Sequence, residues 1–442
     1  MEDHQSTGEQ PVELTLADAL AQAIALHRGS EIDNAETLYR RILTTFPDNP
    51  DALHFLGLLE RQRGRFDEAL ELMRQAVAIE PEYASAHNNI GNLLIERGDL
   101  DGALASLEMA RAMQPDNVLV LNNLGIVWRG KGDLQAAQGF FARAVEIEPK
   151  FALPYENLGN YHYVRGEVAQ AHDYFCRAIV IDPTLVNSNT YFGMALMHLG
   201  RHDEAREFYE QWGAREPENP VPKHMISTIA GQKVPSRASD DYVRVVFDTF
   251  AASFDSQLAR LKYRAPELMT EALRRTGRES GLRVLDAGCG TGLCGKLLRP
   301  AASRLEGVDL SPRMLDGARR TGMYDELVEG ELTAQLEARL GAFDVVISAD
   351  TLCYFGDIER VARAAHGALV PGGHFIFSVE AASGADAADF IIGTSGRYAH
   401  ARGYLESTLR RAGFAGQHVA EEDLRMESGT PVRGYVVTAT RN

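Results

Sequence analysis

The sequence is poor in cysteine, and it has no long apolar run. Its four cysteines form no C-x-x-C pair and accompany no histidine cluster at zinc-ligand spacing, which argues against a disulfide framework and a zinc site. No apolar run approaches the roughly 18 residues that cross a membrane, and the N-terminal stretch is polar and acidic, unlike a secretory signal. We therefore expect no metal, no membrane association and a cytoplasmic location.

Basic residues are scarce in the first half of the chain. Residues 1–217 contain 18 Lys and Arg against 33 Asp and Glu, whereas residues 218–442 contain 27 against 29. Nucleic acids and anionic membranes are bound by basic surfaces, so this acidic excess argues against both as partners. At 442 residues, the chain is long enough for two or three domains.

The first half repeats itself every 34 residues. Prolines follow this period at Pro47, Pro81, Pro115, Pro149, Pro183 and Pro217. Glycines follow it in two series, Gly57, Gly91, Gly125, Gly159 and Gly193, then Gly64, Gly98, Gly132, Gly166 and Gly200. The pattern resembles the tetratricopeptide repeat, a helix–turn–helix unit, and predicts an α-solenoid of six units over residues 14–217.

Each recurring residue has a structural role within the unit. Gly125 is small, so that the two helices of its unit can pack closely. Gly132 marks the turn because glycine adopts positive φ freely, and Pro149 stops the second helix. The first unit is atypical, with Ser30 in place of the turn glycine, as expected for an end unit that caps the stack.

Asparagines also follow the period, at Asn89, Asn123 and Asn157. This series is similar to the asparagine ladder in the repeats of O-linked N-acetylglucosamine transferase, which implies binding of an extended peptide. A side-chain amide offers both a donor and an acceptor, so it can bind peptide groups without reading their sequence. The alternative is that these asparagines are common repeat residues and that the array serves only as a spacer or in self-association.

A connector follows the repeats. Residues 218–240 contain several prolines and weak periodicity, which predicts a linker or a capping segment. The next stretch, DDYVRVVFDTFAASFDSQLARLKYRAPELMTEALRRTG, has the spacing of helices. A second domain is therefore expected over residues 241–442.

The second half alternates between strand-like and helix-like stretches. The segment RVLDAGCGTG runs from an apolar strand into a glycine-rich loop, and the stretches LEGVDL, FDVVISAD and GGHFIFSVE follow with helical segments between them. This alternation predicts a Rossmann-like α/β domain with a parallel sheet covered by helices on both faces.

Two classes of cofactor fit a glycine-rich loop after a strand. Gly290, Gly292 and Gly295 match the dinucleotide pattern G-x-G-x-x-G, but Asp286 precedes the glycines and would repel a pyrophosphate. S-adenosylmethionine (SAM) has no phosphate and carries an ammonium group that an aspartate can bind. The loop therefore favours SAM over a dinucleotide.

This half resembles the class I SAM-dependent methyltransferases over about residues 240–442, with their seven-stranded sheet. The resemblance implies a SAM site, with S-adenosylhomocysteine as product, built from Asp286, Gly288, Cys289, Gly290 and Gly292 in the first motif, Asp309 and Leu310 in the second, and Glu331 and Leu332 in the third. It implies that Asp309 accepts hydrogen bonds from the ribose hydroxyls and that Glu331 accepts one from the adenine amino group. Glu329 is the alternative acceptor for that amino group.

The residues that face the acceptor are less well defined. The end of the fourth motif places Asp350 and Tyr354 beside the reacting methyl group, although Asp350 could instead be a helix N-cap. His400, Tyr398 and Asp350 are the candidate bases, with His400 and Tyr398 expected at the rim of the site.

The stretch before the sheet resembles the helical lid of trans-aconitate and malonyl-carrier-protein methyltransferases. Tyr242, Phe254 and Tyr263 could close over the cofactor or simply pack the lid.

Two functions remain open at this point. One is a methyltransferase, resembling bacterial methyltransferases with tetratricopeptide repeats, whose repeats recruit a substrate or partner; the other is an interaction scaffold whose second domain only binds SAM or is inactive.

Overall fold

The computed structural model describes residues 15–229, 234–251, 254–278, 280–382, 388–427 and 430–442. The chain divides into two compact units, Met1–Pro154 and Tyr155–Asn442. No helix among the described residues is long and apolar enough to cross a membrane.

Paired helices make up the first part of the chain. They are α1 (Leu16–Arg28), α2 (Ile32–Thr45), α3 (Pro50–Gln62), α4 (Phe66–Ile79), α5 (Ala84–Glu96), α6 (Leu100–Met113), α7 (Val118–Gly130), α8 (Leu134–Ile147), α9 (Ala152–Val164), α10 (Val168–Ile181), α11 (Val186–His198) and α12 (His202–Arg215). They form the six expected helical pairs of an α-solenoid. Residue 14, the expected start of the array, lies outside the described residues.

One glycine series forms the turns and the other allows close helix packing, as the sequence predicts. All five turn glycines have a positive φ, between 73° and 88°, and Ser30 takes the same left-handed conformation at 63°. At each packing glycine, a side chain from the second helix of the pair fills the space that a Cβ atom would need. Gly125, for example, lies against the ring of Phe141. The period therefore specifies both the turn and the close contact between paired helices.

Gly125→Ala is expected to destabilise the repeats by about 1–3 kcal/mol, because the new Cβ atom would overlap the ring of Phe141. Urea unfolding followed by far-UV circular dichroism measures the effect. Gly139→Ala is the matched control, since an added Cβ meets nothing there and alanine favours the helix by up to about 1 kcal/mol. Adding Phe141→Leu to Gly125→Ala should recover part of the loss; equal stability of the two single variants would contradict this account.

The predicted linker contains a helix. α13 (Pro220–Ile226) begins 34 residues after α11, so the repeat period continues into the connector. The side chain of Asn219 accepts a hydrogen bond from the backbone N–H of Val221 at 3.0 Å and caps the helix, and Pro220 occupies its first turn. Residues 230–233 of the connector lie outside the described residues.

The end of the repeats and the start of the second domain share one apolar cluster. It contains Tyr209 and Trp212 of α12, Met225 of α13, and Tyr242. Tyr242 belongs to α14 (Asp240–Phe250), and its ring stacks on that of His224 with a centroid separation of 3.8 Å. We call this set the junction cluster.

Two further helices precede the sheet, α15 (Phe254–Arg260) and α16 (Ala265–Arg275). Pro266 occupies the first turn of α16, as expected from the sequence. The buried side chains of α16, Leu268, Met269 and Leu273 among them, pack in a core with strands of the sheet. Residues 252 and 253 of the expected lid lie outside the described residues.

The sheet is mixed and larger than expected. Its strands are β1 (Leu282–Ala287), β2 (Ala302–Asp309), β3 (Glu326–Glu329), β4 (Phe343–Ser348), β5 (Leu369–Ala381), β6 (Phe390–Ile392), β7 (Tyr398–His400), β8 (Phe414–Glu427) and β9 (Thr430–Arg441). Seven of them follow the order β3-β2-β1-β4-β5-β9-β8, with the first five parallel and the last two antiparallel. The short strands β6 and β7 extend the sheet beside the end of β5.

The predicted Rossmann-like α/β domain with a seven-stranded sheet is therefore confirmed, with β6 and β7 as additions. The expected parallel arrangement holds for the first five strands, whereas β9 pairs antiparallel with both β5 and β8. β8 and β9 follow one another in the chain and pair antiparallel. The helices that alternate with the strands are α17 (Leu293–Leu298), α18 (Pro312–Thr321), α19 (Leu332–Glu337), α20 (Glu359–Ala368) and α21 (Arg402–Arg411). Two apolar cores, on opposite faces of the sheet, hold these layers together.

Candidate functional site

A cavity opens at the carboxyl ends of β1, β2 and β4, where ligands of open α/β sheets commonly bind. Loop and strand-end residues form one side of it, among them Gly288, Gly290, Asp309, Glu331 and Asp350. Aromatic residues of the preceding helices and loops form the other side, namely Phe247, Phe254, Tyr263 and Tyr354. The parallel order of the strands brings these segments, far apart in sequence, to one edge.

The glycine-rich loop after β1 depends on backbone conformations that favour glycine. Gly288 and Gly290 have φ values of 81° and 54°, and Gly292 has 90° where α17 begins. The N–H of Gly288 donates to the carbonyl of Val308 at 2.8 Å. A Cβ atom at Gly288 would overlap Thr351, whereas one at Gly290 would meet only Phe254 at 3.8 Å. The loop thus presents bare backbone to the cavity at Gly290.

Asp309 ends β2 and lines the cavity. Its Oδ2 accepts a hydrogen bond from the N–H of Gly290, and its Oδ1 accepts one from Ser311, each at 2.9 Å. Burial raises the pKa of Asp309, although these backbone hydrogen bonds act in the opposite direction. Each carboxylate oxygen keeps a lone pair, so the side chain is fixed in place with capacity to accept further hydrogen bonds.

Asp286 lies deeper, near the end of β1, and is not among the residues that line the cavity. Its Oδ2 accepts a hydrogen bond from the hydroxyl of Tyr324 at 2.7 Å, and its buried Oδ1 has no hydrogen-bond partner in the described structure. Burial raises the pKa of Asp286 to about 7, partly offset by Tyr324. A buried carboxylate oxygen without a partner is costly, so this site is suited to a ligand that brings a donor or a positive charge.

Glu331 and Leu332 line the cavity at the start of α19. The Glu331 side chain caps this helix, accepting hydrogen bonds from the N–H groups of Thr333 at 3.0 Å and Ala334 at 2.8 Å. Burial raises the pKa of Glu331, but the hydrogen bonds and Arg237 hold it below the usual range. The rival residue, Glu329, is not among the lining residues.

Asp350 lies on the cavity wall after β4, in a left-handed conformation with φ of 54° that is unusual for a residue other than glycine. Its Oδ2 accepts hydrogen bonds from Arg397 at 2.6 Å and Arg425 at 3.4 Å. Burial raises the pKa of Asp350, but the two arginines outweigh this and hold it below its usual range. The structure does not make Asp350 a helix N-cap, because Thr351 occupies that position.

The two arginines were missed by the sequence analysis. Arg397 lines the cavity, and Arg425 lies beneath it with its side chain 1% exposed. Glu380 pairs with both, at 3.0 Å and 2.5 Å, so two cations face two buried carboxylates. Neither arginine belongs to a recognisable motif. Their pairing with Asp350 and Glu380 becomes visible only in the folded sheet, where β5, β7 and β8 bring these residues together.

Comparison with known proteins agrees with this architecture. The methyltransferase domain family matches residues 258–419, and tetratricopeptide repeat families match residues 20–85, 60–124 and 192–211. The chain carries tetratricopeptide repeats and a methyltransferase domain.

Individual relatives and solved structures are each similar to part of the chain. Methyltransferase-like protein 27 of Homo sapiens is 33% identical over 138 residues, which is 30% of this chain and 55% of that protein. A ubiquinone biosynthesis O-methyltransferase of Ralstonia nicotianae is 31% identical over 118 residues, covering 25% and 48%. A SAM-dependent methyltransferase structure from Mesorhizobium loti is 29% identical with a TM-score of 0.32, covering 39% of this chain and 95% of that one. The chain spans about half the length of the curated relatives it matches.

The expectation that His400 and Tyr398 lie at the rim of the methyltransferase site is wrong. Both belong to β7, are fully buried and are absent from the cavity lining. The ring of His400 donates from Nε2 to the carbonyl of Gly356 at 3.1 Å, and the hydroxyl of Tyr398 donates to Pro235 at 3.1 Å. Pairing of β7 with β5 turns these side chains into the core, where they cannot meet an acceptor in the cavity.

The burial of His400 predicts a pH dependence of stability. Burial lowers its pKa from 6.5 to about 4, so the unfolded chain binds a proton more readily than the folded one. This contribution to the free energy of unfolding is fully present above pH 6.5 and is lost progressively as the pH falls from 6.5 through 4. About 2–3 kcal/mol should be lost at pH 4.5. Urea unfolding of the methyltransferase transition at pH 7 and 4.5 should show this difference. His400→Gln should flatten the dependence, whereas the exposed control His418→Gln should leave it unchanged.

The expected lid residues separate into two groups. Phe254 and Tyr263 line the cavity of the methyltransferase domain, as does Tyr354, which the fourth motif places there. Tyr242 is 4% exposed and packs in the junction cluster instead, so the structure supports the packing alternative for this residue.

The asparagines of the repeats are partly committed to contacts within the array. The Nδ2 of Asn89 bonds the ring of His54 at 2.8 Å, and the Nδ2 of Asn123 donates to Asn88 at 2.9 Å. Asn157 is 7% exposed. Asn89 and Asn123 remain partly exposed, each with a carbonyl oxygen that can accept a further hydrogen bond.

Proposed function

We propose that this protein transfers the methyl group of SAM to an acceptor that presents a hydroxyl group. The observation that carries the cofactor assignment is the geometry of Asp309. This carboxylate ends β2, is held by two backbone N–H groups and lines the cavity with acceptor capacity left for the two hydroxyls of a ribose. It stands beside a loop that exposes bare backbone at Gly290.

The other candidate cofactor residues fit SAM in charge and polarity. The unpartnered Oδ1 of Asp286 suits the ammonium group of the methionine portion, and it would repel the pyrophosphate of a dinucleotide. Leu310 and Leu332 supply apolar cavity wall beside Asp309 and Glu331, where an adenine ring would lie. When bound, SAM supplies an electrophilic methyl group on a sulfonium.

Asp350 is the residue that we assign to the acceptor. Its Oδ1 is buried, has no hydrogen-bond partner in the described structure and belongs to a side chain on the cavity wall. Because the arginines lower its pKa, Asp350 is a weak base. In this proposal it accepts a hydrogen bond from the acceptor hydroxyl, orients the oxygen and takes up the hydroxyl proton as that oxygen gains the methyl group. The relative named as an O-methyltransferase supports an oxygen acceptor.

Calorimetric titration with SAM and with NAD tests the cofactor assignment, and labelled-methyl transfer to small phenols and aliphatic alcohols tests the acceptor class. We expect SAM to bind, NAD not to bind and label to reach hydroxyl compounds. SAM binding without transfer to any compound would favour the scaffold alternative. Absence of SAM binding would overturn the proposal.

Tetratricopeptide repeats generally mediate protein interactions, and we assign the array to recruitment of a peptide-containing partner. The carbonyl oxygens of Asn89 and Asn123 are suited to accept hydrogen bonds from backbone N–H groups of an extended peptide. Affinity capture with the intact protein and with the Asn89→Ala, Asn123→Ala variant tests this role. Identical sets of captured proteins would argue against these asparagines as the contact.

A further inference from the structure

A short segment between the repeats and α14 crosses the methyltransferase site. We call residues 234–239 the strap. The carbonyl of Ser236 accepts hydrogen bonds from the N–H groups of Gly356 at 2.8 Å and Asp357 at 2.7 Å, and the N–H of Ala238 donates to Tyr354 at 2.9 Å. Arg237 and Phe355 form an antiparallel bridge between these bonds. The strap is therefore fixed to the loop that follows β4.

The side chain of Arg237 extends from the strap into the cavity wall. Its Nη1 donates to Oε1 of Glu331 at 2.9 Å, its Nη2 pairs with Asp240, and its guanidinium lies over the ring of Phe355 at 5.3 Å. Two carboxylates and one aromatic ring fix the guanidinium plane, which arginine can do and lysine cannot fully reproduce. Arg237 thus adds a donor to the same Glu331 oxygen that accepts from Thr333 of α19.

The hydrogen bonds of Glu331 are distributed unevenly between its oxygens. Oε1 accepts from Arg237 and from the N–H and hydroxyl of Thr333, whereas among the residues that the structure describes Oε2 accepts only from the N–H of Ala334. A carboxylate oxygen has about two lone-pair sites, so Oε1 is saturated and Oε2 retains one. This arrangement leaves one oriented acceptor for a donor on a ligand.

We infer that Arg237 is a positioning residue of the cofactor site, which turns the free lone pair of Glu331 toward the exocyclic amine of the adenine ring. The inference rests on the proposed function and extends it, because Arg237 lies outside the segment that matches the methyltransferase family. The nucleoside end of the site is then completed by the strap that connects it to the repeats. Arg237 contributes through Glu331, so its effect should depend on the amine.

The test compares S-adenosylhomocysteine with S-inosylhomocysteine, which has an oxo group in place of the adenine amine, by calorimetry on the full chain. Arg237→Gln should lower affinity for S-adenosylhomocysteine about tenfold, as expected for a charge-assisted hydrogen bond, and change affinity for the inosine analogue less than about twofold. Glu331→Gln should reproduce this selectivity, and Arg237→Lys should recover part of the loss. Arg360→Gln, which breaks an exposed arginine–glutamate pair with Glu337, is the matched control and should affect neither ligand.

The outcomes separate this inference from the proposed function. If the unaltered protein binds neither SAM nor S-adenosylhomocysteine, the proposed function fails and this inference fails with it. If the unaltered protein binds and Arg237→Gln binds S-adenosylhomocysteine equally well, only the inference fails. If Arg237→Gln loses the same affinity for S-adenosylhomocysteine and for S-inosylhomocysteine, the strap has a purely structural role and the positioning role is also overturned.

Discussion

Asp309→Ala is expected to weaken SAM binding by about 100-fold or more. The substitution removes a charged acceptor for both ribose hydroxyls, and hydrogen bonds to charged groups contribute about 1.5–3 kcal/mol each. It also releases the N–H of Gly290, which loses its partner in the glycine-rich loop. Both effects act on the same ligand, so the loss should be the largest of any single cofactor-site variant. Calorimetric titration with SAM measures it.

Two comparisons make the Asp309 result specific. Asp316→Ala removes an exposed aspartate of α18 that pairs with Arg319, and it should bind SAM normally. Asp309→Asn keeps the size of the side chain and one acceptor oxygen, so its affinity for SAM should fall between those of Asp309→Ala and Asp316→Ala. Circular dichroism establishes that each variant is folded. SAM affinity within threefold of the unaltered protein in Asp309→Ala would remove the main support for the cofactor assignment.

Arg425→Met is expected to destabilise the methyltransferase domain by about 3–5 kcal/mol, since breaking a buried ion pair leaves charge without compensation. Arg425 is 1% exposed and donates to Glu380 at 2.5 Å and to Glu427 at 2.6 Å. Asp350 also loses one of its two arginines. Guanidinium unfolding followed by tyrosine fluorescence and circular dichroism measures the change in the domain's transition.

The control for Arg425 comes from the neighbouring strand. Arg433→Met removes an arginine of β9 that is 67% exposed and pairs with Glu421, and the stability should change by less than about 0.5 kcal/mol. Adding Glu380→Gln to Arg425→Met removes one of the buried carboxylates and should recover part of the lost stability. Equal stability of Arg425→Met and Arg433→Met would show that the buried charges are not coupled as described.

The repeats and the strand ends could be predicted because their patterns are local. A 34-residue period fixes a turn and a packing glycine in every unit, and the structure confirms both. The ends of β1 and β2 are marked by Asp286 and Asp309, each followed by residues that start a turn. In both cases the physical requirement, positive φ or close approach, falls on residues adjacent in sequence.

The acceptor side could not be predicted because its contacts are long-range. Arg425 meets Asp350 from a strand 75 residues away, and nothing near Arg425 distinguishes it from the other arginines of the chain. His400 was chosen as a base for its ordinary titration range, but burial in β7 decides its protonation. Strand pairing determines which titratable side chains face the cavity, and a single sequence does not specify that pairing.

The junction cluster determines where this protein can be divided. A fragment that starts at Leu258, where the family match begins, would lack the strap, Tyr242 and the helices against which Tyr242 packs. A fragment that starts at Phe151, just before α9 and close to the boundary between the two compact units, would keep α9 to α14 and the stacked rings of His224 and Tyr242. The last two repeats thus belong to the same compact unit as the enzyme domain, and proteolysis should release them together with that domain and not with the first four repeats.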